Sequence, residues 1–272
     1  VFHTNFSQYN RLRINQQREI TMPIALITGG SRGLGRAGAL ALAKKGIDVV
    51  ITYNTNEAAA DEVVKEIQSI GRKACALPLN TASSHYSFPE FLVTLKDVLN
   101  NQFGKQAITY LVNNAGVGLN ASFTETSIKQ FDTLFDMHVK GPYFLTQTLL
   151  PIIEDGGAIL NISSGLARFC FPGYSAYGMA KGAIEVMSRY LAAELGARKI
   201  RVNTLAPGAI ETDFSGGYVR DNSEVNNAIA SQTALGRVGQ PEDIGGVIAA
   251  LLSNDSYWIN GQRIEASGGM KL

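Results

Sequence analysis

Residues 24–35 read Ile24-Ala25-Leu26-Ile27-Thr28-Gly29-Gly30-Ser31-Arg32-Gly33-Leu34-Gly35. Four apolar residues run straight into a turn with glycine at 29, 30, 33 and 35. Apolar positions then recur at Leu34, Ala37, Leu40 and Ala41, the spacing of one helix face. A short apolar run closed by glycines reads as a buried strand, so the segment is strand, tight turn, helix. Glycines let such a turn approach a pyrophosphate closely, while the helix N-terminus offers unpaired amides to its charge. The pattern alone could mark any tight turn. Its place between a first strand and a first helix points instead to dinucleotide binding.

The same rhythm continues outward. Further strands are expected at 49–51, 74–79, 108–112, 158–162, 202–205 and 264–266. Helices are expected at 58–70, 88–99, about 127–150, about 174–197 and from Pro241. Such alternation means right-handed crossovers and a parallel sheet covered on both faces. The fold class is α/β: one doubly wound domain over residues 22–272, with about seven strands. Residues 211–235 break the rhythm with Ser215-Gly216-Gly217-Tyr218 and a polar stretch, the pattern of a lid over a site or of a plain surface excursion.

Residues 1–21 are polar and without periodicity, and they lack the apolar stretch of a secretory signal. Arg11, Arg13 and Arg18 give a faint transit-peptide flavour but no amphipathic face; the simpler expectation is an upstream extension ahead of a start at Met22. The chain has 272 residues, 24 Lys+Arg against 23 Asp+Glu, and 45% hydrophobic residues. That balance gives no basic stripe, so nucleic acid is not an expected partner. No apolar run reaches the roughly 18 residues of a membrane span. Two cysteines, Cys75 and Cys170, make no disulfide framework, which fits a reducing, cytoplasmic setting. No cluster has metal-ligand spacing, so no metal is expected. His3 and His85 fall in no motif.

The end of the second strand bears on which dinucleotide. An acidic residue there would accept from the adenosine ribose and favour NAD. Here it reads Thr52-Tyr53-Asn54-Thr55, and Asp48 sits at the strand's other end. Arg32, inside the glycine turn, can meet a 2′-phosphate with charge-assisted hydrogen bonds. NADP(H) is therefore expected, with NAD(H) the alternative if Arg32 is only solvated.

Five motifs in order resemble the short-chain dehydrogenase/reductase family across residues 22–272. They are the turn at 28–35, Asn113-Asn114-Ala115-Gly116 after the fourth strand, Ser164, Tyr177-Gly178-Met179-Ala180-Lys181, and Pro207-Gly208 after the sixth strand. The look is nearest to 3-oxoacyl-[acyl-carrier-protein] reductase-like members. The resemblance implies a Rossmann fold, a small-molecule carbonyl substrate and a homo-oligomer, tetramer or dimer. It places Gly29, Ser31, Arg32 and Leu34 at the phosphates and ribose, with Tyr53, Asn54 and Thr55 nearby. Asn80 and Thr81 would lie at the adenine, Asn114, Ala115 and Gly116 at the adenosine ribose, and Pro207, Gly208, Ile210 and Thr212 at the nicotinamide end.

Hydride addition to a carbonyl leaves charge on oxygen, so the site needs a proton donor and a hydrogen bond. Lys181 follows Tyr177 by one helical turn and shares its face. An ammonium there is expected to lower the phenol's pKa and to bind ribose hydroxyls with Tyr177. Ser164 would steady the developing oxyanion. Each alone has a bland reading as a solvated pair or a cap; together with the glycine turn they point to catalysis. The family's fourth residue is an Asn in a pattern like VNxKG, and here it is His138 in Met137-His138-Val139-Lys140-Gly141. His138 either relays protons or merely braces the helix. A second departure puts Ser267 where the family commonly has Asp, with little catalytic effect expected. Arg168-Phe169-Cys170-Phe171-Pro172 is expected to wall the pocket beside the lid. Two alternatives stand beside an NADPH-dependent carbonyl reductase: an NAD-linked alcohol dehydrogenase, and a catalytically silent NADP(H)-sensing protein.

Overall fold

The computed structural model describes residues 22–82 and 87–272. The expectations for residues 1–21, and His85, lie outside the described residues. Among these, seven strands form a single sheet: β1 (Ile24–Ile27), β2 (Asp48–Tyr53), β3 (Ala74–Pro78), β4 (Ile108–Asn113), β5 (Ile153–Ile162), β6 (Arg201–Pro207) and β7 (Arg263–Ala266). Their order is β3-β2-β1-β4-β5-β6-β7 with every neighbouring pair parallel. The helices are α1 (Gly33–Lys44), α2 (Glu57–Ser69), α3 (Phe88–Val98), α4 (Ile128–Phe135), α5 (Gly141–Leu149), α6 (Ser175–Glu194), α7 (Tyr218–Asp221), α8 (Ser223–Ala230) and α9 (Pro241–Leu252).

Successive strand residues point to opposite faces, so each central strand feeds two cores. Ala25, Ile27, Val49 and Ile51 pack with Leu42, Val63, Ile67 and Ile248 on one face. Ile24, Leu26, Val50 and Leu111 pack with Phe88, Leu95, Leu145 and Leu149 on the other. Continuous apolar strands such as β1 are therefore buried on both sides, as a parallel sheet requires. The winding reverses at β1, which pairs with β2 on one side and β4 on the other. In open α/β sheets ligands bind beyond the carboxyl ends of the strands at that reversal. The glycine turn after β1 and the Asn-Asn-Ala-Gly segment after β4 both lie there.

One helix differs from its expected course. Residues 127–150 are not continuous: α4 ends at Phe135, Asp136–Lys140 form a wider π turn, and α5 begins at Gly141. A side chain at position 141 would strike the carbonyl of Thr81, so the chain passes close there. Ser127 caps α4, accepting from the Gln130 amide while the Gln130 side chain accepts from Ser127 N. Such widened turns collect at functional sites, and this one carries His138.

Candidate active site

The glycine turn is built as a cradle. Gly29 takes a left-handed backbone with φ +65°, and any side chain on Gly35 would collide with the Gly29 carbonyl and the Asn114 side chain. The first turn of α1 has no side-chain cap at Arg32 and no acidic residue, so its amides stand ready for an anion. Thr28 Oγ1 accepts from the amides of Asn114 and Ala115, both at 3.0 Å. Asn114 Nδ2 donates back to the carbonyls of Thr28 (2.9 Å) and Gly29 (3.1 Å). The two motifs thus lock together, and a dinucleotide's pyrophosphate fits the cradle they form.

The remaining expected cofactor residues sort by what they touch. Arg32 is 70% exposed at the mouth of the cradle, 4.0 Å from Asp213. Ser31 and Leu34 sit with it at the start of α1. Asn54 and Thr55 are exposed beyond the end of β2, with Tyr53 half-buried. Asp48 is at the far end, its carboxylate accepting from Arg72 Nη2 at 2.6 Å and Lys73 N at 2.9 Å. Asn80 is exposed and accepts from Ala82 N. Thr81 follows it, buried, with its hydroxyl on Met137 Sδ at 3.1 Å. Thr212 lies beside Gly33, and Ile210 pairs with Gly239 at the head of the 211–235 excursion.

Ser164, Tyr177, Lys181 and His138 converge. Ser164 follows β5 in extended conformation, and its hydroxyl accepts from Leu166 N at 3.2 Å. Tyr177, on the first turns of α6, is 6% exposed and hydrogen-bonded to Ser164. Burial pushes the Tyr177 hydroxyl well above its usual range, against the Ser164 hydrogen bond. Burial thus outweighs the lowering expected from Lys181. Lys181 Nζ donates to the Ile162 carbonyl at 2.8 Å, 5.6 Å from the centre of the Tyr177 ring. Its own burial lowers it to about 7, so it is only part-charged at neutral pH. Desolvation disfavours the charged form of both groups, and the pair is held near neutrality.

His138 is 2% exposed, its ring edge-on to Tyr177 at 5.2 Å. Nε2 lies 2.7 Å from the Val117 carbonyl. A carbonyl only accepts, so Nε2 carries the proton and Nδ1 is a bare acceptor. Nδ1 is buried and without a hydrogen-bond partner among the described residues. Burial, then the Lys181 charge, hold the imidazole well below its ordinary range, with the Val117 bond opposing. Burial thus favours the neutral form of His138 in the folded protein. Unfolded, the ring titrates near 6.5, so between the folded and unfolded values the unfolded chain binds more protons. Stability should therefore decline as pH falls below about 6.5, by up to roughly 1.4 kcal/mol per pH unit. His138→Asn should flatten that slope in urea unfolding run from about pH 5 to 7.5; equal slopes in both proteins would rule the reading out.

Over residues 29–271 the chain matches the family described as Enoyl-(Acyl carrier protein) reductase. The chain belongs to the short-chain dehydrogenase/reductase family. It is similar to an uncharacterized oxidoreductase of Methylorubrum extorquens, 38% identical over 91% of this chain and 97% of that one. It is also similar to the tetrahydroxynaphthalene reductase PfmaG of Pestalotiopsis fici, 34% identical over 93% of each. Among solved structures, the promiscuous reductase LugOII, which catalyses keto-reduction at C1 in lugdunomycin biosynthesis, superposes with TM-score 0.87. It is 37% identical over 93% of this chain and 99% of that one. The angucycline C-6 ketoreductase LanV with bound NADP gives 0.86, at 35% identity over 92% and 95%. This short-chain dehydrogenase/reductase is an oxidoreductase that acts on carbonyl groups with NADP(H).

The pocket of this short-chain dehydrogenase/reductase beside Tyr177 is lined by Leu119, Ala121, Thr126, Gln130, Leu134, Gly173 and Ala176. The sequence reading missed all of these. Of the loop after Ser164, only Gly173 reaches the lining, held where its carbonyl accepts from Ala121 N at 3.0 Å. Phe169 lies against Gly165, next to Ser164, and packs edge to face with Phe171 under Lys271. From the excursion, Phe214 packs against Gly118 and stands 6.0 Å from the Tyr177 ring. Arg220 is spent on Asp213 and Asp221, and Arg168 on Glu265 at 2.7 Å. Among the described residues no group of three or more His, Cys, Asp or Glu could hold a metal, and no helix is long and apolar enough to cross a membrane.

Proposed function

We propose that this chain reduces a free ketone on a hydroxylated aromatic framework, with Tyr177 as the proton donor. The observation that carries the reading is the Ser164–Tyr177–Lys181 cluster, with Tyr177 and Lys181 buried, where Tyr177 borders a small, largely apolar cleft beside a cradle suited to pyrophosphate. NADPH, when bound, supplies the hydride to the carbonyl carbon. Tyr177, kept protonated at neutral pH by burial, gives its proton to the carbonyl oxygen, the form that reduction needs. Ser164 donates a hydrogen bond to the same oxygen as charge develops. Lys181, in its charged form, favours the phenolate left behind. His138 stays neutral, holds the 117 segment through its carbonyl, and presents Nδ1 as an acceptor.

A free aromatic ketone is supported over a carrier-bound 3-oxoacyl thioester by the rim. A carrier protein's acidic surface calls for free basic residues, and Arg168 and Arg220 are both neutralised by carboxylates. The lining beyond Tyr177 is mainly Leu and Ala, with Thr126 and Gln130 to meet hydroxyls. The relatives named as tetrahydroxynaphthalene reductase and angucycline ketoreductase support the same substrate class. Phe214 and the 211–235 segment serve as the lid. Assembly through α5 and α6 belongs to this proposal, since Tyr143, Met179, Val186 and Tyr190 stand exposed on those helices.

Arg32 sets the preference for the 2′-phosphate. Arg32→Ala should raise KM for NADPH about tenfold, the worth of one charge-assisted contact, and leave KM for NADH nearly unchanged. Steady-state rates with both cofactors decide it: an equal rise for both would remove Arg32 from that role.

A further inference from the structure

We propose that Glu265, on the edge strand β7, is a positioning residue that holds the substrate-side loop in register with the catalytic helix. The inference rests on the functional reading above and extends it to how the pocket keeps its shape.

The Glu265 carboxylate accepts four hydrogen bonds. Arg168 grips it with both prongs, Nε at 2.8 Å and Nη2 at 2.7 Å. Arg263 Nη1 adds a third at 2.8 Å and Ser267 Oγ a fourth at 2.9 Å. Two-pronged guanidinium–carboxylate contacts fix direction as well as distance. From this hub the connections run two ways. Arg263 Nε donates to Glu185 Oε1 at 2.8 Å, one helical turn beyond Lys181 on α6, and Arg263 Nη2 reaches the Ser164 carbonyl at 3.4 Å. Ser163 Oγ joins the same place, donating to Glu185 at 2.7 Å. On the other side, Arg168 also donates to the carbonyls of Met270 and Lys271, each at 2.9 Å. The Lys271 ammonium caps the Phe171 ring at 3.9 Å.

Arg168 and Arg263 are thereby balanced by Glu185 and Glu265, in a network less exposed than ordinary surface pairs. Removing one member of such a network leaves another charge uncompensated. The loop it secures joins Ser164, which faces the carbonyl, to Gly173, which lines the pocket. Position 267, where the family commonly has Asp, here holds Ser267, whose hydroxyl is a donor to Glu265. The departure at 267 and the carboxylate at 265 are parts of one arrangement.

Glu265→Gln keeps the size and removes the charge. KM for the ketone should rise about tenfold while kcat stays within roughly threefold and the Kd for NADPH is unchanged. Arg168→Ala should give the same split, and the double variant should add little, as expected for partners in one interaction. A parallel rise in the NADPH Kd, full additivity, or no change in KM would overturn the proposal. The loop is also read without turnover: chymotrypsin should cut after Phe169 faster in Glu265→Gln than in the parent, located by mass spectrometry. Equal cutting overturns the clamp. A parent enzyme that turns over no ketone but shows the faster cutting in the variant leaves the clamp standing and refutes the functional reading instead.

Discussion

Tyr177→Phe should lower kcat for ketone reduction about 10³-fold, roughly 4 kcal/mol in barrier, while leaving the Kd for NADPH within about twofold. The ring stays, so its contacts with His138, Tyr174 and Phe214 are kept. Only the hydroxyl goes, and with it the proton donor and the hydrogen bond with Ser164. General acid catalysis by a positioned side chain contributes about 10²–10⁴-fold, which sets the size of the loss. Single-turnover reduction followed by NADPH absorbance, with NADPH binding by fluorescence titration, separates the two quantities. A variant that retains a tenth of the parent's rate would remove Tyr177 from the chemistry.

Lys181→Met should cost about 10²-fold in kcat/KM and should also change the shape of the pH profile. Burial holds Lys181 at about 7. Its charged form, which favours the departing proton's phenolate, is present below that value and lost above it. In the parent, kcat/KM for reduction should be level on the acid side and fall as pH rises through about 7, since this quantity reports the free enzyme's groups. Methionine fills the same space without a charge, so the falling limb should vanish. A limb that persists in Lys181→Met belongs to another group, and His138 is not one, because it is neutral throughout that range.

Much of this was legible in sequence because the signals were local. The apolar run of β1, the glycines that follow and the one-turn spacing of Tyr177 and Lys181 each declare themselves within a few residues. The parallel sheet with helices on both faces follows from the alternation of strand and helix once right-handed crossovers are assumed. Four features were not legible, each for a physical reason. The π turn at Asp136–Lys140 leaves the helical periodicity on both sides intact, so 127–150 reads as one helix. The charge states of Tyr177 and Lys181 depend on burial by elements far away in the chain, which spacing does not report. Arg168 was placed in the loop beside the pocket, but its partner Glu265 is 97 residues away and no local signal links the two. The pocket lining at 119–134 was missed for a related reason: Leu119 and Leu134 look like ordinary core, and only the close approach of Gly173 makes them a wall.

The central claim is tested most directly by mixing the protein with NADPH or NADH and a panel of carbonyls, following cofactor absorbance. The panel holds hydroxylated aromatic ketones and a 3-oxoacyl thioester. The expected result is turnover that prefers NADPH and is fastest on an aromatic ketone. Tight NADPH binding with no turnover of any carbonyl would contradict it, and would make this a protein that holds the cofactor without using it.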